Sequence, residues 1–435
     1  MATVRWKGDA KAVAQVTTWT FGGTWETDDL ITVTIGSKTI SVAAGSTTIS
    51  TIIDTLVSTY NALSSTVYPE FAEMTASRSS SNFVLTADTA GRPFTATLAT
   101  TEANGGAADS QTIGSATTST TSSGPNDVSV ASNWEGGSLP VDGDTVVIDQ
   151  GSSSLLYGLD RSSVTLANLI IGPNFTGTIG LPNINVDAGT AYAYYEYRER
   201  YLKHGASADA QATTITVNGG GGRIKLSTND SQATLIVKNT GSPLEQNIPT
   251  LLFKGTHASN AVTVQRGSVG IAYFEGETAT IATLNVGYTT NVNGDSDVTL
   301  GSGVTLSNAT IQQSGGVLRT NSATSGSATI TLTNGELTLQ SGAQLGLAVR
   351  GGTCFYNSTG TLGGNPVVSG FGHLDFSQDL RSKAVTNPIE IYGSAARVSD
   401  PNKVVSSLVL DLNETANTDN IRIGQNIRLT RGTPS

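Results

Sequence analysis

The sequence predicts a mainly β protein in which a small N-terminal α+β domain precedes a long parallel β-helix. Three observations carry this expectation. From about Val141 onward the chain is a succession of short β segments, such as Ala328-Thr-Ile-Thr-Leu-Thr, Glu336-Leu-Thr-Leu and Val304-Thr-Leu, separated by Gly, Asn and Ser turns. No helix-period segment of ordinary length interrupts them. Residues up to about Thr101, by contrast, mix alternating segments with one amphipathic helix. Repeated short strands without intervening helices bury their apolar faces only by stacking on one another, as solenoids, sandwiches and propellers do.

At 435 residues the chain is long enough for two or three domains and a substantial core. Hydrophobic residues make up 37% and charged residues 13%, with 49 glycines. Val, Ile and Leu recur inside the Thr-rich runs, and that alternation marks half-buried strands rather than disorder. A net charge of −10, with 24 Lys and Arg spread along the whole length, argues against a nucleic-acid partner. The single cysteine, Cys354, excludes an intramolecular disulfide and a cysteine metal cluster, and its apolar flanks read as a small buried hydrophobe. Met1-Ala-Thr-Val-Arg-Trp lacks the apolar stretch of a signal peptide, and no run approaches the ~18 apolar residues of a membrane span. Folding in a cytosol, away from membranes, is expected.

Residues 1–101 read as the compact α+β unit. Ile31-Thr-Val-Thr-Ile alternates strictly, Gly36-Ser-Lys turns, and Thr39-Ile-Ser-Val continues, which predicts a hairpin. A helix follows, because Ile49, Ile52, Ile53, Leu56, Val57 and Tyr60 form one apolar stripe with Thr47 or Thr48 as N-cap. Glu70-Phe-Ala-Glu-Met-Thr-Ala and Phe83-Val-Leu-Thr-Ala predict further strands, and Asp88-Thr-Ala-Gly-Arg-Pro turns into Phe94-Thr-Ala-Thr-Leu. The expected result is one small sheet carrying one helix, with no clear strand before Ile31.

Between residues 102 and 126 the composition collapses to Ala, Gly, Ser, Thr and Asn, which buries too little to fold alone and predicts a spacer. The region 127–435 opens with Asn133-Trp-Glu-Gly-Gly-Ser-Leu-Pro-Val-Asp-Gly-Asp-Thr-Val. Strands are expected at Thr145–Ile148, Val164–Ile171, Thr213–Val217, Val269–Tyr273, Val298–Leu306, Ala309–Leu318 and onward to Ile421–Leu429. Their close but irregular spacing disfavours a propeller and fits a solenoid with variable loops. Coils of ~20–30 residues advancing ~4.8 Å each give on the order of ten rungs and a body ~50 Å long. A β-sandwich is the alternative.

The densest unusual segment is Ala191-Tyr-Ala-Tyr-Tyr-Glu-Tyr-Arg-Glu-Arg-Tyr-Leu-Lys-His204. Tyrosine with arginine is what interface hot spots and sugar platforms favour. The plainer reading is a loop wrapped over the β body with its rings packed and its Arg and Glu paired. Trp6, Trp19 and Trp25, alongside Arg5, Lys7 and Lys11, either complete the core of the small domain or form a docking arm that orders on a partner. The residues assigned to partner contact are Arg5, Trp6, Lys7, Trp19, Trp25, Tyr194, Tyr195, Tyr197, Arg198, Arg200 and Tyr201.

Cleavage of a polysaccharide on a β-helix face requires two carboxylates at a set separation. Asp295 and Asp297, in Asn293-Gly-Asp-Ser-Asp, come nearest, but Gly and Asp in succession more often make a turn, and the segment lacks the glycine and terminal glutamate of an EF-hand loop. His204, His257 and His373 lie far apart, and no Gly-x-Ser-x-Gly elbow marks a nucleophile. No catalytic residue, cofactor or metal is expected.

Val33-Thr-Ile-Gly-Ser-Lys-Thr-Ile, then the helix, then Phe71-Ala-Glu-Met-Thr-Ala and Val84-Leu-Thr-Ala-Asp-Thr-Ala-Gly-Arg-Pro-Phe-Thr resemble a small domain of tailed-bacteriophage and prophage structural proteins. Val4-Arg-Trp-Lys-Gly-Asp-Ala and the Asn133 segment look like a phage family that joins this domain to a β-helix. The Asn-Trp…Pro…Gly-Asp-Thr-Val opening also resembles the first coil of right-handed β-helices outside phages. The resemblance covers nearly the whole chain through motifs of moderate specificity and implies a non-enzymatic virion protein assembled in the host cytoplasm. Its expected role is capsid decoration or cement, docked through the N-terminal region onto the major capsid protein. A tail spike or fibre, attached to a tail hub and binding host glycan as a homo-oligomer, is the alternative, and a polysaccharide lyase or adhesin lies outside both. The chain's last segment, Ile421-Arg-Ile-Gly-Gln-Asn-Ile-Arg-Leu-Thr-Arg-Gly-Thr-Pro-Ser, leaves no room for the trimerisation domain a spike carries, which favours decoration.

Overall fold

A computed structural model describes residues 2–102, 110–186, 193–205, 212–287, 296–416, 421–422 and 427–431. Strand accounts for 44% and helix for 6%, so the chain is mainly β. After β1 (Thr3–Arg5) comes β2 (Val16–Gly22), whose Thr17, Trp19 and Phe21 face inward. The strands β3 (Leu30–Ile35) and β4 (Lys38–Ala43) form the expected hairpin, in register from Leu30 with Ala43 to Ile35 with Lys38. Helix α1 (Ile49–Asn61) buries Ile52, Ile53, Leu56 and Tyr60, four of the six stripe residues, and Ile49 and Val57 pack at the edge of the same core. Three strands follow, β5 (Met74–Ser79), β6 (Asn82–Ala87) and β7 (Ala96–Thr101).

Three sequence expectations are corrected here. The single sheet is two antiparallel sheets, with β3 between β4 and β7 and β6 between β5 and β2. A strand does precede Ile31, because Thr17, Trp19 and Phe21 alternate with outward residues along β2. The start of the Glu70 segment is a 3-10 turn at Phe71–Glu73 rather than extended chain, which lets Phe71 and Glu73 both turn inward. Within the segment expected as a spacer, β8 (Thr112–Ile113) and β9 (Thr117–Thr120) pair antiparallel with β2. Their side chains stay largely exposed, so ladder hydrogen bonds rather than apolar burial hold them, and composition gives no sign of that.

Beyond β10 (Thr145–Ile148) the chain alternates between two long sheets, of 14 and 12 strands. Every pairing in both is parallel, and each strand pairs with the one a full circuit later, an arrangement consistent with a β-helix. The antiparallel hairpins of a sandwich are absent from both long sheets among the described residues. Thr283 pairs with Thr310 and Thr310 with Thr329, so successive circuits take 27 and 19 residues. Two expected strands each split at a corner: Ser296–Leu300 and Val304–Ser307 lie in different sheets, as do Thr310–Gln313 and Val317–Thr320.

The core is made of register columns. Ile215, Leu235, Val262, Leu284, Ile311, Ile330 and Leu347 are successive ladder partners on one sheet. Ile224, Leu251, Val269, Val298, Leu318, Leu337, Cys354, Leu374 and Val398 form a column on the other, every member fully buried. Cys354 therefore sits where its neighbours are leucines, as its apolar flanks suggested, and burial pushes its thiol well above the ordinary range. Each such side chain contributes roughly 1.5–3 kcal/mol by leaving water. Because residues alternate across a strand, the Thr between these positions faces out, and this accounts for the Thr-rich pattern.

β1 belongs to this body rather than to the small unit. Thr3, Val4 and Arg5 pair in parallel with Thr145, Val146 and Val147, so β1 covers the open edge of the first circuit. Asn133 fixes the approach: its Oδ1 accepts the Ala10 N–H at 2.7 Å, and its Nδ2 donates to the Gly124 and Asp127 carbonyls at 2.7 and 2.8 Å. The Asn133-Trp134 pair singled out in the sequence is thus the clasp between the two ends of the small unit.

Candidate functional site

The tryptophans expected on a docking arm are all buried, and they divide between two cores. Trp19 and Trp25 fill the core of the small unit, where Trp25 stacks on Phe21 at 5.3 Å. Trp6 belongs to the β body: its ring meets Trp134 edge-on at 5.0 Å, and its Nε1 donates to the Ser153 carbonyl at 2.9 Å. Neither a free arm nor a single Trp cluster exists. Arg5 pairs with Asp149 at 2.6 Å and Lys7 with Asp9 at 3.2 Å, both partly exposed.

The Tyr/Arg segment is inserted between two circuits, where Asn168 pairs with Thr214 after 46 residues. It begins as an antiparallel hairpin, Ile184–Val186 against Ala193–Tyr195. From it, Tyr194, Tyr197 and Arg198 converge on one buried carboxylate of the small unit, Glu73. The Tyr194 and Tyr197 hydroxyls donate to its two oxygens, Arg198 Nη2 donates to Oε2, and Arg92 Nη2 lies 2.8 Å from Oε1. Arg198 also donates to the Pro93 carbonyl at 2.7 Å and to Glu196 Oε1 at 3.0 Å. Its ring neighbour Tyr197 lies under the guanidinium at 4.5 Å. Burial opposes the charge on Arg198, but Tyr197, Glu73 and Glu196 outweigh it and hold the guanidinium protonated. Burial raises the Tyr194 and Tyr197 hydroxyls, which remain neutral donors.

This cluster joins the small unit to the β body, whereas the plainer sequence reading has the loop wrapped over the β body alone. Of the assigned residues on this segment, Tyr195 alone projects fully into solvent, opposite the exposed Ile184. Sequence reasoning missed Glu73, although one signal was present: it shares the inward parity of Phe71 in a segment read as a strand.

Tyr201 and Arg200 lead into the first of two polar grooves. Tyr201 is buried, donates to Glu277 Oε1 at 2.6 Å, and carries the Lys254 ammonium over its ring at 4.2 Å. Around it, Arg200, Asp230, Lys254, Glu275 and Glu277 line a groove of about 660 Å³. Burial, with Arg200 nearby, lowers the Lys225 ammonium to about 7; it lies 5.5 Å over the Tyr201 ring and donates to Asn183 Oδ1 at 2.8 Å. A second groove of about 650 Å³ lies on the outer face of the 12-stranded sheet, lined by Tyr273, Asp297, Thr299, Arg319, Asn321 and Gln340. Asp297 is held by Arg319 at 2.5 Å, and Asp295 lies outside the described residues. Both grooves offer hydrogen-bonding groups of mixed charge, suited to hydroxyl-rich ligands.

The histidines stay apart. His204 is buried, His257 accepts the Ser259 N–H at 3.1 Å, and His373 Nε2 lies 2.8 Å from Ser399 Oγ. The same Nε2 is 4.0 Å from Asp375, so one ring atom faces both neighbours, unlike a triad in which the two nitrogens divide the roles. No helix among the described residues is long and apolar enough to cross a membrane. No protein-family model, curated protein or solved structure matches this chain.

Proposed function

We propose that this chain is a non-enzymatic structural protein of a tailed-phage virion: a right-handed β-helix carried by a small N-terminal α+β domain that docks it, most simply as a capsid decoration protein. The observation that supports this reading is the polarity of the molecule. The small unit is latched to the first circuits through Glu73, and the ladders then run on without antiparallel interruption to Ile427–Arg431. Fourteen strands at the ordinary inter-strand spacing give a body about 60 Å long. One end thus carries a distinct compact unit, and the β body extends away from it. With all three N-terminal tryptophans buried, the docking surface in this reading is the folded face of the small unit, with the major capsid protein as its partner.

The test is the position and copy number of the chain in particles, by antibody labelling and quantitative mass spectrometry. Hundreds of copies on the head support decoration, whereas a handful at the tail, or none in intact particles, sinks it. The groove holding Tyr273, Arg319, Asn321 and Gln340 favours a second reading, a tail fibre or spike on a tail hub that binds host glycan. A glycan array distinguishes the two, since the decoration reading requires no glycan binding at this face.

A further inference from the structure

Strand β3 is the middle strand of its sheet, and its entrance brings four carboxylates together. The antiparallel pairing of Leu30 with Thr101 sets the residue before β3 beside the residue after β7, which places Asp29 next to Glu102. The turn before β3 adds Glu26 and Asp28. One oxygen from each of Glu26, Asp28 and Glu102 lies within 4.8 Å of the others, and all three side chains are partly buried. Two oxygens bound to one calcium ion at ~2.4 Å are separated by at most about 4.8 Å, so one ion can reach all three carboxylates.

Asp29 supplies an independent observation. It is fully buried, and its Oδ2 accepts the Glu26 N–H at 2.7 Å. Its Oδ1, equally buried, receives no hydrogen bond among the described residues. The Asp29 carboxyl instead lies within hydrogen-bonding range of the Glu102 carboxyl, acceptor facing acceptor. A cation placed beside two facing carboxylates relieves their repulsion.

We propose that Glu26, Asp28 and Glu102 form a calcium site, backed by the buried Asp29, that ties the turn entering β3 to the end of β7. The ligand chemistry selects a hard divalent cation, because all three donors are carboxylates. It selects calcium over magnesium because magnesium keeps most of its waters and is held by one or two carboxylates, whereas calcium accepts six to eight oxygens in flexible geometry. Strand β3 is already held there by the Ala44 N–H to the Asp29 carbonyl at 2.7 Å and the Gly45 N–H to the Thr27 carbonyl at 2.8 Å. The ion fixes the opposite side of the same turn.

The test uses the full-length chain freed of metal by chelation. Calcium chloride is titrated while thermal unfolding is followed, with magnesium chloride in parallel, and terbium(III) is titrated with excitation of tryptophan, Trp25 being the neighbour of Glu26. The expected result is a saturable rise in the unfolding midpoint with calcium alone, and terbium luminescence that calcium displaces. Asp28→Asn and Glu102→Gln each weaken half-saturation by on the order of tenfold or more, while Asp54→Asn, on α1, leaves it unchanged. No midpoint shift and no displaceable luminescence up to on the order of 1 mM calcium overturns the proposal, and this readout needs no variant to fold. An Asp29→Asn protein that is more stable at neutral pH while the parent ignores calcium also overturns it, and assigns the pair to a shared proton.

Discussion

At the scale of single residues, buried polar groups of the β body such as Asn260, Gln344 and Ser358 are held by hydrogen bonds, and His204 shows the consequence of lacking them. It is buried, neither ring nitrogen has a hydrogen-bond partner among the described residues, and it borders an apolar cavity of about 30 Å³. Burial lowers it from 6.5 to about 4. Between those values the unfolded chain holds a proton that the native chain does not, so stability rises with pH across this window and is lost as pH falls through it. The full span is worth on the order of 3 kcal/mol. His204→Leu is therefore expected to lose this part of the acid sensitivity, read from urea midpoints at several pH values between 4 and 7. Parallel pH profiles for the two proteins would count against the assignment. Cys354 illustrates the opposite case, since a thiol with apolar neighbours occupies a leucine's place in the column without penalty.

At the scale of elements, the Tyr/Arg insertion makes two cores behave as one body. Glu73 receives two tyrosines and faces two arginines whose side chains are nearly buried. Removing one partner of such a cluster strands the remaining charges, at a cost of roughly 3–5 kcal/mol. Glu73→Gln is expected to release the small unit while the ladders persist. Calorimetry should then show a separate low-temperature transition, and limited proteolysis should cut near residue 126. A single unshifted transition would show that the latch contributes little. The insertion also shows where sequence reading stopped. Tyrosine and arginine in one segment signal contact, but nothing in their spacing says whether the partner is another molecule or residue 73 of the same chain.

At the scale of the whole molecule, most of the architecture was legible because the ladder repeats one simple rule, an aliphatic residue inward and a threonine outward. The same rule predicts how the body fails. Each circuit touches only its neighbours, so damage propagates locally. Leu318→Asp, which places a carboxylate between Val298 and Leu337, is expected to separate the column into two halves. Protease should then trim the later circuits and leave the earlier ones, as mass spectrometry of the fragments would reveal, whereas uniform loss of the whole chain would speak for global cooperativity. What the sequence concealed was long-range. Trp6 and Trp19 lie close in sequence but in different cores, and β9 reveals its pairing only through its backbone. The pairing of β1 with β10 carries a consequence in time. Val4 leaves the ribosome 142 residues ahead of Val146, so the strand that closes the first circuit is made first and seated late. The small unit can fold in the interval, and the slow step of maturation is then the return of β1 to an edge that would otherwise recruit a second chain.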